Sequence, residues 1–322
     1  MKKIVVTGAA GMIGSGVVRA LNDRGRTELV LVDDLKRTDK WKNLLGKNFL
    51  ELISKHKLME WLEGRESEIE GILHLGACSD TVEADGDYLL ENNTRYTTRL
   101  ADWALSHNVR FVYASSAATY GDGSRGFSDD EAGLEELRPL NMYGYSKHLA
   151  DLWLKRQGAF QRAIGLKYFN IFGPNEYHKG RMASMILKMH AKAKGEGRIH
   201  LFKSNDPHYA DGGQVRDFLY VKDAAAMTLQ AYDKGEVGGI FNIGRGETVT
   251  WNTLALALFD ALGVPPNIVY VEMPSELNRQ YQNYTCAQMG KFPKMVGSFT
   301  STPISDAVRD YVCHYLETEA RW

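Results

Sequence analysis

The sequence predicts an α/β protein built on a doubly wound parallel sheet, with a smaller α/β unit beside it. Three observations carry that prediction. Short apolar runs rich in β-branched residues alternate with longer stretches of helical spacing. The intervals between runs are long enough for crossover helices, which parallel strands require and hairpins do not. A glycine-rich turn stands between the first run and the first helical stretch.

The elements follow in order. Lys3–Thr7 reads as the first strand, and Met12–Asn22 as a helix whose apolar face carries Ile13, Val17, Ala20 and Leu21. Leu29–Val32 is a second strand. Ile69–Leu75, Val109–Ala114 and Ala163–Phe169 read as further buried strands. The pattern loosens after Gly173. Residues 203–216 are polar and glycine-rich, with an Asp211-Gly212-Gly213 turn signal. A strand at Phe218–Val221, a helix at Asp223–Tyr232 and a strand at Ile240–Ile243 follow. Trp251–Leu262 is helical, closed by Gly263 and stopped by Pro265-Pro266. This assigns a nucleotide-binding domain to 1–170, with a return at 218–245. Residues 171–217 and 246–322 form the substrate-binding domain.

Composition excludes several function classes. The 322 residues are 44% apolar and 25% charged, which allows a sizeable core and argues against a largely disordered chain. A net charge of −1 gives no global field toward nucleic acid or anionic membrane, so neither is expected as a partner. No apolar run reaches the roughly 18 residues of a spanning helix. Met1-Lys2-Lys3-Ile4 runs straight into a strand and lacks the apolar stretch of a signal peptide. Cys78, Cys286 and Cys313 are too scattered for a disulfide framework or a zinc pattern. No metal is expected, and the expected setting is a reducing cytoplasm.

The turn Gly8-Ala9-Ala10-Gly11-Met12-Ile13-Gly14 has the spacing G-x-x-G-x-x-G. Glycines permit a tight turn and close backbone approach. The helix N-terminus then offers free N–H groups and a positive dipole end to a pyrophosphate. Its position at the first strand–helix junction predicts a Rossmann-type dinucleotide site. Asp33 and Asp34 end the second strand about 20 residues later, where a carboxylate commonly accepts bonds from the adenosine ribose and favours NAD. Lys36, Arg37 and Lys40 follow, and suit the 2′-phosphate of NADP. Spacing leaves the two cofactors open.

Tyr143 and Lys147 are four residues apart, and so share a helix face with Asn141 as a candidate N-cap. An ammonium beside the phenol is expected to lower the tyrosine pKa from about 10 toward neutrality, which suits a general acid–base. Ser115 and Ser116 end a buried strand, where open parallel sheets keep their ligands. A serine there can hydrogen-bond the reacting hydroxyl.

With these motifs in this order, the chain resembles the extended short-chain dehydrogenase/reductase family over nearly its whole length. Gly8, Gly11 and Gly14, then Ser116, Tyr143 and Lys147, stand where that family keeps its cofactor loop and catalytic triad. Further segments resemble its branch acting at C6 of ADP-linked heptoses. They are His74 to Thr81, Asn92-Asn93, Tyr113 to Gly121, Arg216-Asp217-Phe218 and Lys167 to Ser184. Within the last, His178-Lys179-Gly180 and Met182-Ala183-Ser184 are the most specific.

The resemblance implies a nucleotide-sugar substrate, ADP-heptose, on the route to lipopolysaccharide core. It implies bound NADP, with NAD as the alternative, and a homo-oligomer, a homopentamer among its forms. Cofactor contacts carry over to Met12, Ile13, Asp33, Asp34, Lys40, Lys55, the segment Leu75, Gly76, Ala77, Cys78 and Ser79, then Asn92, Tyr143, Lys147, Ile171 and Lys179. Substrate contacts carry over to Ser116, Asn170, Lys179, Arg216 and Tyr281. The substrate side extends to Phe202, Lys203, Ser204 and Asn205. It also includes Arg181 and Lys188, cations where the family keeps a serine and a histidine; both suit a diphosphate.

Lys179 is implied as a second acid–base. Hydride returned to the opposite face of a keto intermediate leaves the oxygen elsewhere, out of Tyr143's reach. A 4,6-dehydratase needs an Asp-Glu pair after the active-site hydroxyl residue, and this chain has Ala117-Ala118. A UDP-hexose 4-epimerase needs the same Ser, Tyr and Lys and stays open. A non-catalytic dinucleotide sensor is the remote alternative.

Overall fold

The computed structural model describes residues 2–234, 237–275 and 281–322. Its strands, in chain order, are β1 (Lys3–Thr7), β2 (Leu29–Asp33), β3 (Glu51–Ser54), β4 (Ile69–His74), β5 (Arg110–Ser116), β6 (Ile164–Tyr168), β7 (Asn170–Phe172), β8 (Ile199–Phe202), β9 (Val215–Arg216), β10 (Phe218–Tyr220), β11 (Gly239–Ile243), β12 (Val249–Thr250) and β13 (Ile268–Val271). The helices up to residue 262 are α1 (Met12–Asp23), α2 (Leu58–Leu62), α3 (Gly86–Leu89), α4 (Tyr96–Ser106), α5 (Met142–Arg156), α6 (Met185–Glu196), α7 (Val221–Asp233) and α8 (Trp251–Leu262).

Seven strands form one parallel sheet in the order β11-β6-β5-β4-β1-β2-β3. From β1 the chain winds one way through β2 to β3. It then returns to β4 and winds the other way. The order therefore reverses between β1 and β4, and their carboxyl ends open a crevice there.

The central strands are continuous apolar runs because both faces are covered. Ile4, Val6 and Leu29 pack on one face against Val17 and Leu21 of α1 and Ala224 and Met227 of α7. Val5, Val30, Ile72 and Phe111 pack on the other against Leu58, Leu100 and Leu154. Each such aliphatic side chain contributes about 1.5–3 kcal/mol on full burial. A separate core of Ile186, Leu201, Phe218, Leu254, Leu258 and Val308 builds the second lobe. The capping expectations hold: Asn141 Oδ1 accepts from Gly144 N–H at 2.8 Å, and Gly263 closes α8 with φ 67°.

Three differences from the sequence expectations have physical causes. Glu51–Ser54 joins the sheet edge as β3, but its residues are mostly exposed, so no apolar run announces it. The polar stretch 203–216 ends in β9, whose two residues pair antiparallel with β12. The helix expected from Asp223 starts at Val221, taking the last residue of the expected strand.

His74 closes β4 in a buried chain of hydrogen bonds. Gly76 N–H donates to Thr7 Oγ1 (3.1 Å), and Thr7 Oγ1 meets His74 Nδ1 at 2.7 Å. His74 Nε2 meets Thr97 Oγ1 at 2.9 Å, and Thr97 donates to Asn93 O at 2.6 Å. Every proton is used once if His74 is neutral with its hydrogen on Nε2. Burial, then the charge of Lys147, pushes the imidazole down to about 3 from its ordinary 6.5. Between those values the unfolded chain binds a proton that the folded chain excludes. Stability is therefore full above pH 6.5 and falls with acid by about 1.4 kcal/mol per pH unit from this group. Urea unfolding from about pH 7 to about pH 4 is expected to show a shallower acid loss in His74→Gln than in the parent. Equal slopes defeat the assignment.

Candidate active site

A cleft of about 990 Å3 lies over the carboxyl ends of the central strands, lined by both lobes. Its floor is the glycine turn. Gly8 sits at φ 65°, and a Cβ there would lie 2.6 Å from Gly76 Cα. A Cβ on Gly14 would lie 2.1 Å from Gly8 O. The first turn of α1 starts at Gly11 with no side-chain cap and no acidic residue, so its N–H groups face the cleft free for an anion. These features fit a dinucleotide pyrophosphate.

Asp33 is buried at the end of β2 and is largely consumed by the protein. Its Oδ2 accepts from Ala10 N–H at 2.8 Å. Its Oδ1 accepts from Asp34 N–H at 2.7 Å and from Lys40 Nζ at 2.6 Å. Lys55 donates to Asn92 Oδ1 at 2.6 Å and lies 3.4 Å from Asp34, while Lys36 lies 3.8 Å from Asp34. Three lysines thus face two aspartates at this corner.

Ser116, Tyr143 and Lys147 meet at the end of β5. Ser116 is the turning point of the strand, its Oγ accepting from Ala118 N–H at 3.1 Å. Tyr143 and Lys147 project from the first turns of α5, and both line the cleft with Ser116. The expectation that Lys147 depresses the phenol pKa is corrected. Burial pushes Tyr143 up, and the contact that pulls it down is Ser116. Lys147 instead donates to Ala114 O at 2.8 Å, and burial lowers its ammonium to about 8 against the opposing pull of Asp151 and Cys78.

Lys179 enters from the second lobe on the turn Tyr177–Met182, with Nζ 3.9 Å from Met12 Sδ. Burial lowers its pKa, Glu176 opposes that, and Lys188 adds to it. Among the described residues neither Lys147 nor Lys179 is ion-paired to a carboxylate. No cluster of residues able to hold a metal occurs among them either.

The remaining expected residues divide clearly. Gly11, Met12, Ile13, Asp33, Asp34, Lys40, Lys55, the segment 75–79, Asn92, Asn170 and Ile171 all line the cleft. Arg216 and Tyr281 stand just behind its wall: Arg216 is stacked 5.0 Å from the Tyr281 ring and 5.7 Å from the ring of Trp251, which does line it. Arg181, Lys188 and Phe202–Asn205, expected on the substrate side, lie outside the residues that line the cleft. Arg181 pairs with Asp80 at 2.5 Å, Lys188 donates to Arg181 O, and Lys203 pairs with Glu272. Phe202 faces Tyr281 edge-on, and Ser204 Oγ donates to Asp206 O. Asn205 follows directly, also outside the lining. Sequence reasoning missed Trp251, used only as a helix start, and Asp80, whose partner lies 101 residues away.

Residues 4–244 match the model of the NAD dependent epimerase/dehydratase family. The chain belongs to this family, whose cofactor class is a nicotinamide dinucleotide. It is 45% identical over 314 residues to ADP-L-glycero-D-manno-heptose-6-epimerase of Nitratidesulfovibrio vulgaris, covering 97% of each chain. It is 40% identical over 327 residues to the protein of that name from Fusobacterium nucleatum, covering 98% of each. The crystal structure of the Helicobacter pylori ADP-L-glycero-D-manno-heptose-6-epimerase superposes with TM-score 0.81 at 25% identity, over 97% of this chain and 96% of that one.

Gly14→Ala drives a methyl into Gly8 O and is expected to destabilise the fold by about 1–3 kcal/mol. It should also lose bound dinucleotide on gel filtration. Unchanged melting and unchanged dinucleotide absorbance would refute the close packing.

Proposed function

We propose that this protein interconverts ADP-D-glycero-D-manno-heptose and ADP-L-glycero-D-manno-heptose by transient oxidation at C6. One observation carries the reading. A single cleft holds two desolvated proton-handling groups from different lobes, Tyr143 on α5 and Lys179 on the turn Tyr177–Met182. Inverting a carbinol centre through a ketone needs that pair, because the oxygen changes sides when the ketone turns.

A bound nicotinamide dinucleotide supplies the site with a hydride acceptor that gives the same hydride back. The protein's own residues do the rest. Ser116 orients the substrate hydroxyl and donates to its oxygen. Tyr143 takes the hydroxyl proton in one orientation, and Lys179 handles it in the other. Ser116 is the group that opposes the burial of the Tyr143 phenol, and Lys147, anchored on Ala114 O, lies one turn further along the same face of α5. Arg216, held between Trp251 and Tyr281, is a buried cation for the diphosphate. Ala117 and Ala118 line the cleft where elimination would need carboxylates, so a dehydratase is disfavoured.

The cofactor is NADP in this reading. The Asp33 oxygens are already occupied by Ala10, Asp34 and Lys40, while Lys36, Lys40 and Lys55 offer charge to a 2′-phosphate. Residues 1–170 with 218–245 bind it, and 171–217 with 246–322 bind the sugar nucleotide. We place the enzyme in the cytoplasm as a homo-oligomer, a homopentamer by family resemblance, serving lipopolysaccharide core synthesis.

Purified protein incubated in D2O with ADP-D-glycero-D-manno-heptose is expected to give the C6 epimer with ordinary hydrogen at C6, and to release NADP(H) on denaturation. Inversion of UDP-glucose instead would favour a UDP-hexose 4-epimerase. Solvent deuterium at the inverted carbon would exclude the redox route. Tyr143→Phe and Lys179→Ala should each lower kcat by at least about 10²-fold with the dinucleotide still bound. A Lys179→Ala variant altered only in KM would make Lys179 a diphosphate ligand.

A further inference from the structure

Asp151 is one of the most deeply buried charges in the molecule, and the mechanism above does not use it. It follows Lys147 by four residues and Tyr143 by eight, so all three lie along one face of α5. Its carboxylate is fully engaged. Oδ1 accepts from Tyr113 Oη at 2.7 Å. Oδ2 accepts from Ser115 Oγ at 2.7 Å and from Lys167 Nζ at 2.9 Å. Asp151 and Lys167 are both 0% exposed.

Each of these bonds leads toward the reacting groups. Tyr113 and Ser115 flank Ala114, whose carbonyl receives Lys147 Nζ. Lys167 also donates to Thr119 Oγ1 at 2.5 Å, and Thr119 donates to Ser116 O at 2.8 Å. One carboxylate therefore ties down the carbonyl that holds Lys147 and, through Lys167 and Thr119, the backbone that presents the Ser116 hydroxyl. A buried ion pair of this kind gives little net stability over an apolar pair of the same volume, so bulk stability does not account for it.

We infer that Asp151 is a positioning residue for the Ser116–Tyr143–Lys147 group, fixing the end of β5 and supplying the negative charge beneath the Lys147 ammonium. The inference rests on the proposed role of Tyr143 and Lys147. The charged and titratable groups that act on Lys147 or feel it are Asp151 on α5, Cys78 after β4 and His74 on β4, and Asp151 is in turn paired with Lys167 on β6. Asp151 contributes the largest of the upward pulls that oppose the burial of Lys147. Removing it leaves the desolvation unopposed on that side, so Lys147 should lose its proton at lower pH.

The test reads Lys147 directly. Full-length protein carrying [ε-13C]lysine is titrated by NMR, with the Lys147 signal assigned by its loss in Lys147→Met. Asp151→Asn is expected to lower the Lys147 midpoint by about one pH unit, and the alkaline limb of kcat should move down with it. Asp151→Glu should restore most of the shift. A folded Asp151→Asn protein with an unchanged midpoint overturns the inference. If Asp151→Asn does not fold, the double variant Asp151→Asn/Lys167→Met, which removes both buried charges, takes its place. Its midpoint is expected below that of the parent, and a midpoint equal or higher overturns the inference. The titration needs no turnover. A parent protein inactive on ADP-heptose whose Lys147 nonetheless shifts would sink the substrate reading and leave this one standing.

Discussion

The site depends on the contact between the turns that follow β1 and β4. These turns meet backbone to backbone, at a distance that admits no Cβ on Gly8. Thr7 locks them by accepting from Gly76 N–H while meeting His74, and the His74–Thr97 bond carries the lock to Asn93. Asn93 then holds Cys78 through both of its backbone groups and donates to Ser146 Oγ at 3.0 Å. Ser146 in turn donates to Tyr143 O at 2.7 Å. One hydrogen-bonded path thus runs from the glycine turn to the backbone of Tyr143. It couples the floor of the cleft to the wall that carries Tyr143.

Charge in this cleft is arranged by desolvation more than by pairing. Lys147 and Lys179 both lose basicity to burial, and each feels a carboxylate, Asp151 or Glu176, that is itself bonded elsewhere. Glu176 accepts from Ser184 N–H, Ser184 Oγ and Tyr311 Oη, so it fixes the turn bearing Lys179 as Asp151 fixes the strand end facing Lys147. The two lobes repeat one arrangement: a buried carboxylate is bonded to its surroundings, and the lysine nearby has no carboxylate partner of its own among the described residues.

The first lobe was largely legible in the sequence because its strands are buried on both faces and its cofactor turn is written in glycines at consecutive strand–helix landmarks. Ser116, Tyr143 and Lys147 were legible for a related reason: strand ends and helix periodicity place them. The exceptions have local causes. β3 is an exposed edge with no apolar run, and Lys167 hides as a charge inside an apolar strand whose partner Asp151 sits 16 residues earlier. The second lobe read poorly because its short strands pair across long separations, as Arg216 does with Val249.

Arg181 and Asp80 add a feature of another kind. Asp80 lies in the cleft wall after β4, and Arg181 reaches it from the turn Tyr177–Met182, donating through both Nε and Nη2. The Arg181 side chain is 65% exposed, so water and salt screen the pair and it adds little to equilibrium stability. A cross-lobe link of this kind breaks and reforms in solvent, and its strength falls as the ionic strength of the surrounding fluid rises.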